Sequence, residues 1–312
     1  MTPASRQAVA DLVTENKVLS GSYGAGFISE KHPYLMGSIT GIPTTNMIHL
    51  ATVLEQYPDI KRVAIMAANV SYGQAAAAYY AAACEVFKER GVEIVFDQEF
   101  DGSAKSDMFG LLTPVLDSNP DLIVEELFVP GEKPLMIETL EQLGYKGAYG
   151  SESWPLSLIK KRAPLESLAG RLYTAFSVEA SEASYNARAH AFYQRFVARF
   201  GDDDWTIEAA NAFTTLATFE VGIGLAQEAT GEAVMNALYN TPEIDHPTFG
   251  PSKWGGADVF GANHHLLTEL PVYGLGADGN FVLEGITNVS DWWEEHKDAA
   301  LPVLKKRGQV YA

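Results

Sequence analysis

The chain has 312 residues, enough for two packed domains, because single cores rarely grow past roughly 250–300 residues. Its 40 acidic against 22 basic side chains give a net charge of −18, which repels phosphate backbones and excludes nucleic acid as an expected partner. Cys84 is the single cysteine, so an intrachain disulfide and a multi-thiolate metal site are excluded, and no run of about 20 apolar residues is present to cross a bilayer.

In chain order, Met1-Thr2-Pro3-Ala4-Ser5 has neither the basic region nor the apolar core of a signal peptide. A helix is expected over Ser5 to Glu15, then a short strand Val18-Leu19-Ser20, then the glycine- and hydroxyl-rich stretch Ser20-Gly21-Ser22-Tyr23-Gly24-Ala25-Gly26. That stretch lacks the lysine of a phosphate loop and the spacing of a serine-hydrolase elbow. It reads either as a plain loop or as a rim offering hydroxyls and N–H groups to a carboxylate.

The middle of the chain is the most regular. Lys61 to Met66 is a β-branched apolar run, followed by a helix from Tyr72 to Arg90 that Gly91 closes. Strands at Val92–Phe96, Asp121–Val124 and Gly147–Gly150 alternate with helices at Ser106–Asp117 and Lys133–Leu143. Strand starts recur at spacings of about 26–30 residues, which suits successive βα units of a parallel, doubly wound sheet.

Farther on, helices are expected at Tyr185–Phe200, Thr206–Ala229 (ended by Thr230-Gly231) and Glu232–Tyr239. A hairpin then joins Leu270–Tyr273 to Asn280–Leu283 through Asp278-Gly279. The expected class is therefore α/β, with two Rossmann-like doubly wound lobes. Residues 1–40 with 176–275 would form a first, discontinuous lobe and 41–175 the second. Residues 276–312 would pack across both.

Two motifs fail their context. Gly274-Leu275-Gly276-Ala277-Asp278-Gly279 spells a dinucleotide fingerprint but precedes a strand instead of opening a helix, so no nucleotide cofactor is expected. His264-His265 reads as a loop or edge pair, since neighbours on a strand face opposite ways, and no metal is expected.

In open α/β sheets ligands bind beyond the carboxyl ends of the strands. There the chain places Asn69–Gly73, Glu125–Phe128 and Ser151–Trp154: aromatic walls, hydroxyls and carboxylates, with no histidine, lysine or cysteine. Such a set suits holding a solute better than transforming one. Tyr72, Phe128, Glu152 and Trp154 also have plainer readings as a helix cap, core, a solvated carboxylate and a packing anchor.

Through Lys61–Ile65, Ser71-Tyr72-Gly73-Gln74, Gly91–Val95, Pro120–Val124 and Gly150-Ser151-Glu152, the chain resembles the type I periplasmic binding proteins. The likeness is to the branched-chain amino-acid (Leu/Ile/Val) receptors of ABC transporters. It implies the solute-binding component of an importer, closing two lobes around a small amino acid, amide or carboxylate and delivering it to a membrane permease. A ligand-sensing regulatory domain of the same fold is the alternative, and an enzyme on a doubly wound scaffold the third reading.

The resemblance further implies that Ser20, Ser22 and Tyr23 receive a ligand carboxylate. Tyr72 would cover the ligand, Glu152 would neutralise its ammonium, and Phe128 would fall near an aromatic wall position, with Asn211 a weaker match; Trp154 joins the candidates by its place at a strand end alone. The family's first lobe normally begins with a βαβαβ segment that has no counterpart here, so the chain is expected to be N-terminally incomplete. It would be periplasmic or extracellular if that segment carries a signal peptide.

Overall fold

A computed structural model describes residues 10–22, 28–37, 44–175, 183–201, 204–205 and 207–312. Residues 10–15 are helical, within the span predicted for the first helix. The strands are β1 (Ser20–Ser22), β2 (Leu35–Gly37), β3 (Arg62–Ala68), β4 (Glu93–Phe100), β5 (Leu122–Glu126), β6 (Ala148–Ser151) and β7 (Leu172–Ala175). They continue with β8 (Glu243–His246), β9 (Gly250–Gly255), β10 (His265–Leu267), β11 (Glu269–Leu275) and β12 (Phe281–Asn288). The longer helices are α1 (Thr44–Gln56), α2 (Ser71–Val86), α3 (Met108–Asp117), α4 (Lys133–Gln142), α5 (Ala183–Phe200), α6 (Ile207–Leu225), α7 (Gly231–Tyr239) and α8 (Val289–Lys306).

The larger sheet runs β12-β11-β7-β6-β5-β3-β4. From β4 to β7 every pairing is parallel, and the β11–β12 hairpin extends the sheet antiparallel. The central strands β3 and β5 are buried on both faces, which is why they read as unbroken apolar runs instead of alternating ones. Asp121 fixes their relative start, its Oδ2 accepting from the backbone N–H groups of Lys61 and Arg62 at 2.9 and 2.8 Å.

Helix α2 lies against β3 with α1 and α8 on its flanks. It is apolar all round, and Ala75 to Cys84 are all buried, as a helix enclosed on every side requires. Cys84 is thus an enclosed thiol whose pKa burial pushes up. Gly91 ends the segment in the left-handed conformation, φ 83°.

Gly73 is needed for a different reason. A Cβ there would overlap the carbonyl oxygen of Ala68, because the chain turns from β3 into α2 in two residues. Gly73→Ala should therefore lower the unfolding free energy by about 1–3 kcal/mol in urea titration, by forcing backbone to move.

The smaller sheet runs β1-β2-β10-β9-β8, with β1, β2 and β10 parallel and the rest antiparallel. Its apolar cluster joins Met36, Val234, Leu238, Ile244 and Leu266. The two sheets form the mixed α/β architecture expected from the sequence.

Three local features depart from the sequence reading. Glu269–Leu275, grouped above with the first lobe, pairs with β7 of the larger sheet. Thr230 does not end α6, which stops at Leu225. It caps α7, its side chain accepting from Ala233 N–H at 3.2 Å. His265 stands on an inner strand and is buried, not in a loop or at an edge. The adjacent imidazoles do diverge: His264 stacks on Tyr239 at 4.0 Å, while His265 Nε2 lies 3.2 Å from Thr44 Oγ1.

Candidate functional site

Strands β3, β5, β6 and β7 run parallel and so end along one edge of the larger sheet. β5 closes on two carboxylates, Glu125 and Glu126, which point to opposite faces because strand side chains alternate. Glu125 is fully buried. Its Oε2 accepts from the N–H groups of Leu127 and Phe128 at 3.2 and 3.1 Å, and its Oε1 lies 3.0 Å from Lys133 Nζ.

Lys133 sits in the first turn of α4, which brings it back over the strand ends. Its ammonium also donates to Ser151 Oγ at 2.5 Å and to the Ser153 carbonyl at 2.9 Å, and lies 5.2 Å from the centre of the Trp154 ring. Burial pushes its pKa down, but the charges of Glu125 and Glu126 outweigh that and hold it raised. It is therefore a permanent cation, not a base.

Glu126 lies among donors from three other elements. Its Oε1 accepts from Asn46 Nδ2 of α1 at 2.9 Å, from the Tyr80 hydroxyl of α2 at 3.2 Å, and from the N–H of Glu152 at 2.9 Å. Asn46 Nδ2 also donates to the Tyr80 oxygen at 2.8 Å. Burial pushes the Glu126 carboxyl up to about 7, opposed by Lys133 and reinforced by Glu125. One turn along α1 from Asn46, His49 is buried and held neutral, its pKa lowered to about 3 by burial.

Tyr72 opens α2 at the end of β3, partly buried. Its phenol is pushed up to about 12, first by burial and then by the charges of Glu126, Glu125 and Glu152, so its side chain shares the electrostatic field of all three. Glu152 follows β6 and is 5% exposed, with its carbonyl accepting from Thr174 Oγ1 at 2.7 Å.

Of the residues picked out by sequence, Tyr72 and Glu152 stand in this carboxylate-rich field. Trp154 is buried beside Lys133, and its indole N–H donates to the Tyr173 carbonyl at 2.8 Å, leaving only its ring for a ligand. On one side it faces a recess of about 220 Å³ shared with Tyr193 and Trp205. Phe128 is buried in the apolar cluster under α3 and α4, with the Lys105 ammonium 5.9 Å from its ring centre.

Ser20 is on β1 of the smaller sheet, its N–H donating to the Tyr34 carbonyl at 2.8 Å, so it does not belong to the strand-end group. The side chains of Ser22 and Asn211, and all of Tyr23, lie outside the described residues.

The strand-end segments contain no lysine or histidine of their own, yet the structure brings one of each beside them. Lys133 arrives from the helix after β5, and His49 from the helix before β3. Glu125 and Glu126 stand among the strand-end residues named from sequence but without a role assigned to either, and Asn46 and Tyr80 are not among those residues. One sequence signal was available: two carboxylates closing an otherwise apolar strand carry a large burial penalty unless something nearby partners them. Chemically the assembly is a set of fixed acceptors with one immobilised cation. Among the described residues no group of three metal-ligating side chains occurs, and no helix is long and apolar enough to cross a membrane.

The sequence profile of the periplasmic binding proteins matches residues 1–280. The chain belongs to that family. Periplasmic binding proteins are solute-binding proteins, not enzymes, and they work in the periplasm. The fold is similar to that of a leucine-binding protein from Thermotoga maritima (18% identity, 93% of this chain and 79% of that one, TM-score 0.68). It is also similar to an ABC-transporter substrate-binding protein from Aeropyrum pernix (16%, 97% and 78%, 0.71). A third similar fold is a solute-binding protein from Rhodopseudomonas palustris in complex with p-hydroxybenzoic acid (16%, 92% and 76%, 0.68). At these identities the likeness is one of fold. No curated protein matches the sequence.

Proposed function

We propose that this periplasmic binding protein serves an ABC importer and that its solute carries an ammonium group, an α-amino acid being the simplest such molecule. The observation behind this is the concentration of buried carboxyl groups at the strand ends. Glu125 lies 3.0 Å from Lys133, and Glu126 and Glu152 share the field around Tyr72. Such a surface attracts a cationic nitrogen and disfavours a bare anion such as a benzoate, even though Phe128 and Trp154 supply aromatic walls.

In this reading Glu152 takes the ammonium, Tyr72 closes over it, and the Ser20–Tyr23 segment of the other lobe receives the carboxylate. The second lobe is residues 41–175 together with 269–312, whose strands complete its sheet. Closure of two lobes on one solute gives the permease a distinct surface to recognise. Delivery to that permease, after export by a leader, would complete the role.

The test is a thermal-shift screen of the purified protein against the twenty L-amino acids, their amides and 4-hydroxybenzoate. A solute at 100 times its Kd should add about 2.7 kcal/mol to stability. Amino acids should shift the melt and 4-hydroxybenzoate should not. If only 4-hydroxybenzoate does so, the ammonium assignment is wrong; if no solute does, the importer reading fails.

A further inference from the structure

Glu126 has an oxygen that no described residue uses. The residue is 6% exposed, and the three donors described above, Asn46, Tyr80 and the N–H of Glu152, all go to Oε1. Among the described residues Oε2 accepts no hydrogen bond and Glu126 forms no ion pair. Beside it, Asn46 is completely buried, and its Oδ1 is enclosed without a partner while its Nδ2 holds Glu126 in place. The cluster is therefore saturated with donors on one side and left with acceptors on the other.

The nearest cation does not fill that gap. Lys133 Nζ donates to Ser151 Oγ and the Ser153 carbonyl and lies 3.0 Å from Glu125 Oε1, with the Trp154 ring packed on its ammonium. Among the described residues the other groups around Glu126 are Glu125 of its own strand, Tyr72 and Tyr80 of α2, Asn46 of α1 with His49 one turn on, and Glu152 after β6. Two of these are carboxylates and the imidazole is neutral, so none supplies a positive charge. Lys133 offsets part of the burial penalty on Glu126 without touching it, and an incoming cationic nitrogen at Oε2 relieves the rest.

We propose that Glu126 is a ligand-contact residue whose Oε2 receives a second cationic nitrogen of the solute, so that the site selects a diamino compound such as a basic amino acid over a neutral one. This rests on the ammonium-binding reading given above and narrows its substrate class. Tyr72, at the start of the same helix that carries Tyr80, would cover both nitrogens when the lobes close.

Protonation of Glu126 gives the inference its own readout. A carboxyl raised by burial holds a proton in the empty site near neutral pH, and a cation beside it drives that proton off. Binding of a diamino solute should release a proton, and its affinity should rise as pH climbs toward and past about 7. A solute carboxylate placed at Glu126 would do the reverse, accepting the proton and binding more tightly as pH falls.

Calorimetric titrations with L-lysine, L-leucine and putrescine between pH 6 and 8.5, in phosphate and in Tris, decide this. Expected are an affinity for lysine at least about tenfold above that for leucine, proton release that differs in heat between the two buffers, and loss of the preference in Glu126→Gln. Leucine binding as tightly as lysine, or a lysine preference that survives Glu126→Gln, overturns the inference while leaving the importer reading intact. An affinity that rises as pH falls overturns it too. If that variant does not fold, proton release and pH slope in the unaltered protein still decide. Binding of none of these or of any other amino acid removes both readings together.

Discussion

Lys133→Met is expected to lower the unfolding free energy by about 3–5 kcal/mol, the usual penalty for removing one member of a buried ion pair. Its partner Glu125 is fully buried, and the 3.0 Å contact with Lys133 is its sole ion pair among the described residues. Methionine fills most of the lysine volume, so the penalty comes from the charge left behind and not from a cavity. It also leaves Ser151 Oγ and the Ser153 carbonyl without their donor. The change is read as the shift in urea midpoint at constant slope. Adding Glu125→Leu should return most of the loss, because an apolar pair of similar shape needs no solvation. A single variant no less stable than a surface substitution would show that water reaches Glu125.

The second large effect concerns the ligand. Glu152→Gln should weaken binding of an amino acid by about 2–4 kcal/mol, roughly 30- to 1000-fold in Kd. Glutamine keeps the shape of the side chain but removes the charge opposite the ammonium, and Glu152 is 5% exposed, so little water screens the interaction. The anchoring of its backbone to Glu126 and Thr174 does not depend on the carboxylate, which keeps the loop in place. Calorimetry with the amino acid found in the screen measures the effect. An unchanged Kd would mean that the ammonium sits elsewhere, with Glu126 the first position to examine.

Much of the larger sheet was legible before any coordinates. Short apolar runs with glycine or turn residues after each helix gave β3 to β6 and α2 to α4 to within a few residues, and Asp278-Gly279 marked the β11–β12 hairpin. The smaller sheet was harder, because its strands are short and drawn from distant parts of the chain. β2 pairs with β10 across more than two hundred residues of sequence, and no local period records such a pairing. Thr230-Gly231 shows a related limit: the same two residues can end one helix or begin the next, and the hydrogen bond to Ala233 selects the second.

Tyr72 and Glu152 are candidates through the likeness of Ser71-Tyr72-Gly73-Gln74 and Gly150-Ser151-Glu152 to a known family. Glu126 and Lys133 are not, although both lie in segments that had been read correctly. Composition, apolar periodicity and turn residues by themselves determined the class of fold, the order of its βα units and the sheet edge where a solute would sit. Only the tertiary structure decided which charges meet there. Asn46, Tyr80, Glu126 and Glu152 come from four separate elements, and whether a buried carboxylate is paired or left open depends on distances of about 3 Å that the spacing of residues along a chain does not encode.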